Sequence, residues 1–335
     1  MDKRHGKIRD VARETGLSIA TVSRVMNGAT NVKEETRARV LDASSRLNYL
    51  PNPAARALST SRSKTIAAIV PTLEYSIFAQ YLTAIEQTLA VRGYSLVIAL
   101  SNFDQTEELD AARKLLGMGA EAFILSGTEH DGSLIDLFDR RSIPHVYTSV
   151  WNPSSIVPTI GYDNAALASD AVDFLYAKGH RHIAVIHGPL FNSDRTRARK
   201  SGSLNAKHQN LELLFHETEL NVAGGKSAMK AVLDAQQHCT AVLCFSDVLA
   251  LGSYFAAQER GLRIPDDLSV MGFDNLDWTA HISPALTTVN LPVTTMGERV
   301  AMQLMDHLET HQAISGELIA GHIVERASVR PINQN

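Results

Sequence analysis

Cysteine is nearly missing from this chain: Cys239 and Cys244 are the only two in 335 residues, with four residues between them in one apolar, strand-like run. Nothing nearby completes a metal-ligand set, so both read as buried thiols. Long apolar stretches are missing too. None approaches the roughly 18 to 20 residues that cross a bilayer, and the opening MDKRHGKIRD holds no apolar signal-peptide region. The expected location is the cytoplasm. Catalytic patterns are absent in turn. AGGKSAM at 223–229 resembles a phosphate loop, but G-x-x-x-x-G-K-S needs glycine where Leu220 stands. There is no G-x-S-x-G elbow and no H-E-x-x-H, and His180 and His182 of GHRH have no evident metal partner. No enzymatic activity, metal or cofactor is therefore expected.

What is present is a chain long enough for two or three domains, because single hydrophobic cores stop growing well below this length. Its 44% apolar and 20% charged residues are ordinary for globular domains. The formal net charge of -4 conceals an asymmetry. Residues 1–62 carry twelve Lys and Arg against six Asp and Glu, whereas the remainder carries 20 basic and 30 acidic residues. A small basic module precedes a large acidic one, and only the first suits a polyanionic partner.

In the basic module Ile8, Val11 and Ala12 recur at helical spacing until Gly16, which can take the left-handed conformation of a tight interhelical turn. Ser18 is placed to cap a second helix with Val22, Val25 and Met26 on its inner face. A third helix is predicted from Lys33 to about Asn48, with Val40, Ala43 and Leu47 inward. This succession is a helix-turn-helix. The second helix turns Ile19, Ala20, Thr21, Ser23 and Arg24 outward, and such a helix enters the major groove with its N-terminal residues against base edges. Arg24 can bond guanine O6 and N7 in a bidentate fork, while Ile19 and Ala20 offer apolar contact to a thymine methyl. Ser18, Asn27 and Asn31 flank that face and are counted with it as DNA-contacting candidates.

The next stretch, PNPAARALSTSRSK at 51–64, opens on two prolines and holds one large apolar residue, Leu58. A helix here can run only from about Pro53 to Ser59, and isolated helices shorter than ~12 residues are marginal in water. It therefore needs an outside partner to become ordered. Minor-groove architectural proteins supply such a case, pushing an apolar wedge between base steps. Leu58 is the residue fitted to be that wedge, with Arg56 and the small Ala54, Ala55 and Ala57 allowing close approach.

The runs IRDVARETGLSIATVSRVMNG and VKEETRARVLDASSRLNYLPNPAARALSTSRSKTIAAIVP together resemble the N-terminal module of the LacI/GalR family of bacterial transcriptional repressors, through to the hinge pattern A-R-x-L at Ala55, Arg56 and Leu58. The resemblance implies that the hinge segments of two subunits pair in the minor groove and that Leu58 intercalates at the centre of a pseudo-palindromic operator. It also places Ile19, Ala20 and Arg24 at base-reading positions.

From Ile66 onward strand-like runs alternate with helical stretches. They are IAAIV, a helix near 78–91, SLVIAL, a helix near 106–117, EAFILSG and HVYTSV. After Asp163 come a helix near 164–178, HIAVIHG, further helices, AVLCFSD and LSVMGFD. Two sets of strand-helix units predict an α/β module of two doubly wound parallel sheets with helices on both faces. Ligands in such sheets bind outside the carboxyl ends of the strands. That rule selects Thr72 to Phe78, Ser126, Gly188 to Arg199, Ser246 and Asp247, and Asp274 and Asn275. Carboxylates, an arginine and aromatic faces suit a polyhydroxylated ligand. The effector-binding candidates are Tyr75, Phe78, Ser126, Asn192, Arg199, Phe245, Asp247 and Asp274, although Asp247 ahead of VLALG equally reads as a helix cap.

KGHRHIAVI, SDVLALG, GLRIPDDLSVMGFDN and PALTTV extend the same family resemblance over nearly the whole chain and imply a periplasmic-binding-protein-like effector domain. The family's R-x-x-G-F/Y motif appears as Arg199-Lys200-Ser201-Gly202-Ser203, with serine in place of the aromatic, and Phe78 and Asp274 match effector-contacting positions. The expected organisation is a DNA-binding domain at 1–50, a hinge at 51–64 and an effector domain at 65–335. Its N-subdomain takes about 65–162 plus 291–321 and its C-subdomain about 163–290 plus 322–335. The chain is thus expected to be a repressor that binds operator DNA as a homodimer under control of a sugar or sugar-acid-like effector. VERASVRPINQN carries no leucine heptads, so the tetramer-forming coil of some relatives is not expected. Two alternatives, a sugar-binding transport protein and a sugar-processing enzyme, are disfavoured by the basic first 60 residues and by the missing catalytic groups.

Overall fold

The computed structural model describes residues 6–29, 31–50, 62–74, 76–235 and 238–332, which belong to two compact units, Met1–Lys64 and Thr65–Asn335. Ala55, Arg56, Leu58 and Tyr75 lie outside the described residues.

The first unit contains α1 (Ile8–Thr15), α2 (Ile19–Met26) and α3 (Glu34–Arg46). Gly16 ends α1 at φ 65, a backbone conformation that costs a residue without Cβ little. The Ser18 hydroxyl then accepts the Thr21 N–H at 3.1 Å and caps α2. Val11, Val22, Val25, Val40 and Ala43 close a small core, with Met26 and Leu47 packed at its margin.

The second unit opens with β1 (Thr65–Val70), α4 (Ser76–Val91), β2 (Ser95–Leu100), α5 (Gln105–Gly117), β3 (Ala122–Ser126), α6 (Gly132–Arg140), β4 (His145–Thr148) and β5 (Thr159–Gly161). It continues through α7 (Asn164–Ala177), β6 (His182–His187), α8 (Asp194–Asn205), β7 (Glu212–Glu217), α9 (Val222–Asp234), β8 (Ala241–Cys244), α10 (Asp247–Glu259), β9 (Ser269–Asp274) and β10 (Thr287–Asn290). It closes with α11 (Val293–Thr310), β11 (Glu317–Leu318) and β12 (His322–Val324). One sheet has the order β11-β5-β4-β3-β1-β2 and the other β12-β10-β9-β8-β6-β7. Neighbours are parallel except for β10 with β12. Each sheet reverses strand order beside its first strand, β1 or β6, and the carboxyl ends around such a reversal leave a crevice. The chain passes from the first sheet to the second after β5, returns after β10, and crosses again between β11 and β12.

The central strands are buried along their length, as in IAAIV of β1 and AVLC of β8, because helices cover both faces. Apolar periodicity does not separate β7 from its flanking helices. It is an edge strand, ELLFHE, only half buried, so charged and imidazole side chains interrupt the apolar signal. Cys244 is fully buried and Cys239 only partly so, and burial pushes the Cys244 thiol up to about 12. His180 is buried, bonds Thr240 Oγ1 at 2.9 Å and is held neutral by burial. Among the described residues no helix is long and apolar enough to cross a membrane.

AGGKSAM turns out to be part of α9, where its glycines serve packing. A Cβ at Gly225 would stand 2.7 Å from Leu249 Cα, and one at Gly252 of α10 would meet the Val222 carbonyl. The two helices touch backbone to backbone. Gly225→Ala is accordingly expected to destabilise the fold by about 1–3 kcal/mol through overpacking. Gly132→Ala on α6, where a Cβ meets nothing within 4 Å, should be neutral or slightly stabilising. Thermal melts followed by circular dichroism separate the two.

Candidate functional site

In the first unit the outward face of α2, its two caps and the turn that follows carry the DNA-contacting candidates. Ser18, Ile19, Ala20, Arg24, Asn27 and Asn31 are exposed, while Thr21 and Ser23 are half-buried. Thr21 Oγ1 lies 2.9 Å from Ser18 Oγ, and Asn27 Nδ2 donates to Ser23 Oγ at 3.3 Å. Ile19 is 46% exposed, an apolar group that gains by leaving water on contact with a methyl.

In the second unit a cavity of about 360 Å3 opens between the carboxyl ends of the two sheets. The first sheet's side contributes Phe78 and Tyr81 from α4, Phe103 after β2 and Ser149 after β4. The second contributes Asn192, Arg195 and Arg199 after β6, Phe245 and Ser246 after β8, and Asp274 at the end of β9. Arg199 anchors the floor. Its Nε donates to Asn164 Oδ1 at 3.0 Å and its Nη1 to the Phe245 carbonyl at 2.5 Å. The guanidinium carbon lies 4.1 Å from the centre of the Phe273 ring, a cation–π contact. Asn164 in turn donates from Nδ2 to the Ser149 carbonyl at 2.9 Å, so one hydrogen-bond chain links the two sides of the cleft. Arg199 reaches this place because α8 lies close on α7: a Cβ at Gly202 would collide with the Ala165 carbonyl.

Asp274 faces the arginine from the end of β9 and accepts the Ser246 hydroxyl at 2.7 Å. Burial pushes its carboxyl above the usual range, against the pull of Arg199. Its φ of 127 and the 58 of Asn275 are left-handed, costing of order 1–3 kcal/mol unless the surroundings enforce them. They do. Asp247 Oδ2 accepts the Leu276 N–H at 2.8 Å and Oδ1 the Thr288 hydroxyl at 2.6 Å, while Arg326 Nη2 donates to Asn275 Oδ1 at 2.7 Å.

Phe78, Asn192, Arg199, Phe245 and Asp274 therefore meet around one cavity. Asp247 does not line it. The residue is fully buried and bonded to Leu276 and Thr288, so the structure places it beneath Asp274 as a support, a correction to its reading as a ligand contact. Ser126 lines a neighbouring cavity of about 450 Å3 instead of the first, together with Pro71 and Ser101 at the ends of β1 and β2. Residues not anticipated include Glu219 and Asn221, which follow the unrecognised β7, and Phe103, which the strand-end rule would have found had it been applied to β2. Among the described residues no cluster of three His, Cys, Asp or Glu is placed to hold a metal ion.

Residues 7–52 match the family described as bacterial regulatory proteins, lacI family, and residues 172–329 match the periplasmic binding protein-like domain. The HTH-type transcriptional repressor CytR of Escherichia coli (strain K12) is 32% identical over 332 residues, covering 97% of this chain and 96% of CytR. The chain belongs to the LacI family. Catabolite control protein A of Priestia megaterium is 29% identical over 316 residues, covering 93% of this chain and 95% of its own. The lac repressor dimer bound to operator and the anti-inducer ONPF superposes with a TM-score of 0.87, at 26% identity over 98% of this chain and 100% of that one. As a LacI-family member the chain is a DNA-binding transcriptional repressor, not an enzyme.

Burial first, and Asp274 second, push the Asp247 carboxyl up; Thr288, Leu276 and Arg326 oppose. A folded-state value above the unfolded one means that the fold holds a proton which the unfolded chain releases from about pH 4 upward. This contribution to stability is present below that pH and is lost as pH rises toward neutrality. Denaturant titrations across this range should show wild type losing stability relative to Asp247→Asn as pH increases.

Proposed function

We propose that this repressor binds a pseudo-palindromic operator as a homodimer and that a sugar or sugar-acid-like effector in the cleft of the second unit controls its affinity. In this reading residues 1–50 read DNA, 51–64 form the hinge, and 65–335 form the effector domain. Its N-subdomain is about 65–162 plus 291–321, and its C-subdomain about 163–290 plus 322–335. Ser18, Ile19, Ala20, Thr21, Ser23, Arg24, Asn27 and Asn31 address the major groove, and Ala55, Arg56 and Leu58 the minor groove. The protein acts in the cytoplasm.

The observation that carries the effector reading is the buried Arg199. Two of its nitrogens are engaged by Asn164 and Phe245, and Nη2 makes no hydrogen bond among the described residues. With Asp274 opposite and Phe78 and Phe245 on the walls, a donor and an acceptor stand at one end of an aromatic cavity, a pairing suited to vicinal hydroxyls. Closure of the cleft on such a ligand shifts one sheet against the other and changes the spacing of two hinge segments in a dimer. By linkage, operator DNA must change effector affinity by the same factor.

Arg199→Met is expected to weaken binding of the best sugar from a thermal-shift panel by about 10- to 100-fold, the cost of one charged hydrogen bond of ~1.5–3 kcal/mol, with operator affinity of the free protein unchanged. Calorimetry and fluorescence anisotropy on an operator duplex read the two arms. Arg24→Ala should cost about 1–3 kcal/mol at one base position and relax preference there; a loss equal across all sequences would assign Arg24 to phosphate.

A further inference from the structure

Beside the first cavity lies the second, and Phe103, Asn192 and Arg195 line both. Either alone is at the small end of ligand sites, which run from ~300 to 1,000 Å3. They differ in chemistry. The first is walled largely by aromatic and aliphatic side chains around Arg199, whereas the second is polar and acidic, bordered by Asp104, Glu108, Glu129 and Asp194.

We propose that the effector spans both chambers and is an uncharged two-ring carbohydrate, one ring over Arg199 and Asp274 and the second in the acidic chamber. This rests on the reading of the first cavity as the effector site. Three features of the second chamber support it. Ser126 Oγ borders it, is buried and has no hydrogen-bond partner, an unpaired group that a ligand hydroxyl satisfies. Phe103 at the threshold and Phe191 at the rim, the latter 83% exposed, offer ring faces on which the C–H face of a sugar packs. The carboxylates decide the charge. Glu108 is held by His130 at 2.9 Å and Asp194 by the Thr128 N–H at 2.7 Å and by Arg195. Asp104 caps α5 through Oδ1, which accepts the Thr106 and Glu107 N–H groups. Glu129 is in turn paired with Arg197, so the neighbouring cations are already committed to carboxylates, and a second ring bearing a carboxylate or phosphate would have to compete with those carboxylates for them.

Arg195 connects the two halves. It stands at the threshold with its Nη1 on Asp194 Oδ1 at 3.1 Å, and a guanidinium has five N–H donors. Its Nε and Nη2 make no hydrogen bond among the described residues, so they are available to a glycosidic oxygen between the rings. Arg195 is thus the positioning group for an elongated ligand, and Gln105, exposed on the far wall, sets the room left for its second ring.

The test is calorimetry on the full chain. One-ring probes are glucose, galactose and ribose; two-ring probes are cellobiose, maltose, lactose, sucrose and trehalose; gluconate and cellobionate supply acids, and adenosine and uridine a different two-part class. The expected result is a neutral disaccharide that binds at least ~10-fold tighter than its own monosaccharide, ~1.4 kcal/mol. Gln105→Trp, which fills the second chamber, should abolish that advantage with monosaccharide affinity unchanged, and Phe191→Ala should reduce it. The proposal is overturned if no disaccharide binds, if an acid or nucleoside binds tighter than every disaccharide, or if Gln105→Trp leaves all affinities alike. Monosaccharide binding that is lost in Arg199→Met keeps the first-chamber reading standing in any of those outcomes; monosaccharide binding indifferent to Arg199→Met removes that reading itself.

Discussion

The site depends on a cation kept almost entirely out of water at the edge of a cavity. Removing a guanidinium from solvent costs several kcal/mol even after relaxation, and burial lowers the Arg199 pKa accordingly, opposed mainly by Asp274. The protein offsets this cost with fixed partners: an amide oxygen, a backbone carbonyl and the face of Phe273. None of these moves freely. Asn164 is itself bonded to the Ser149 carbonyl across the cleft, and the Phe245 carbonyl belongs to the chain between β8 and α10. The arginine is consequently held at one position and presents its remaining donor in one direction.

Asp274 is held by a different means. Its left-handed backbone is a conformation that aspartate adopts at a cost, and the cost is met from below by Asp247, Thr288 and Arg326 rather than by any contact with the cavity. Two buried carboxylates stacked in depth therefore divide the work, the upper one facing the cavity and the lower one holding the turn. Mutual repulsion is the consequence of their proximity, and it makes this corner the place where protonation and geometry are coupled.

Much of this was legible in the residues. Helical spacing around Val11, Val22 and Val25 and the glycine turn at Gly16 gave the three-helix unit, and continuous apolar runs gave the central strands, because burial on both faces leaves no room for polar residues. The strand-end rule then selected Phe78, Arg199 and Asp274. What was not legible has specific causes. β7 is an edge strand whose solvent side needs no apolar residues, so its following residues Glu219 and Asn221 went unnoticed. Asp247 carries the same local signal whether it faces ligand or supports a turn, since strand position fixes the end of the sheet but not the depth of the side chain. Ser126 stands at the carboxyl end of its strand, as the rule requires, but borders the second chamber, because the rule names an end of the sheet and does not say into which of two adjoining cavities a side chain opens.

The three passages of the chain between the sheets carry one more consequence. Each sheet is finished by a strand from the last few dozen residues, β11 for one and β12 for the other. Neither lobe is therefore a continuous piece of polypeptide, and a nascent chain leaving the ribosome holds two unfinished sheets until residues 317–324 have emerged. A premature stop codon anywhere before β11 would leave both lobes with an open edge at once, so such truncation products are candidates for aggregation and proteolysis rather than for a half-functional repressor.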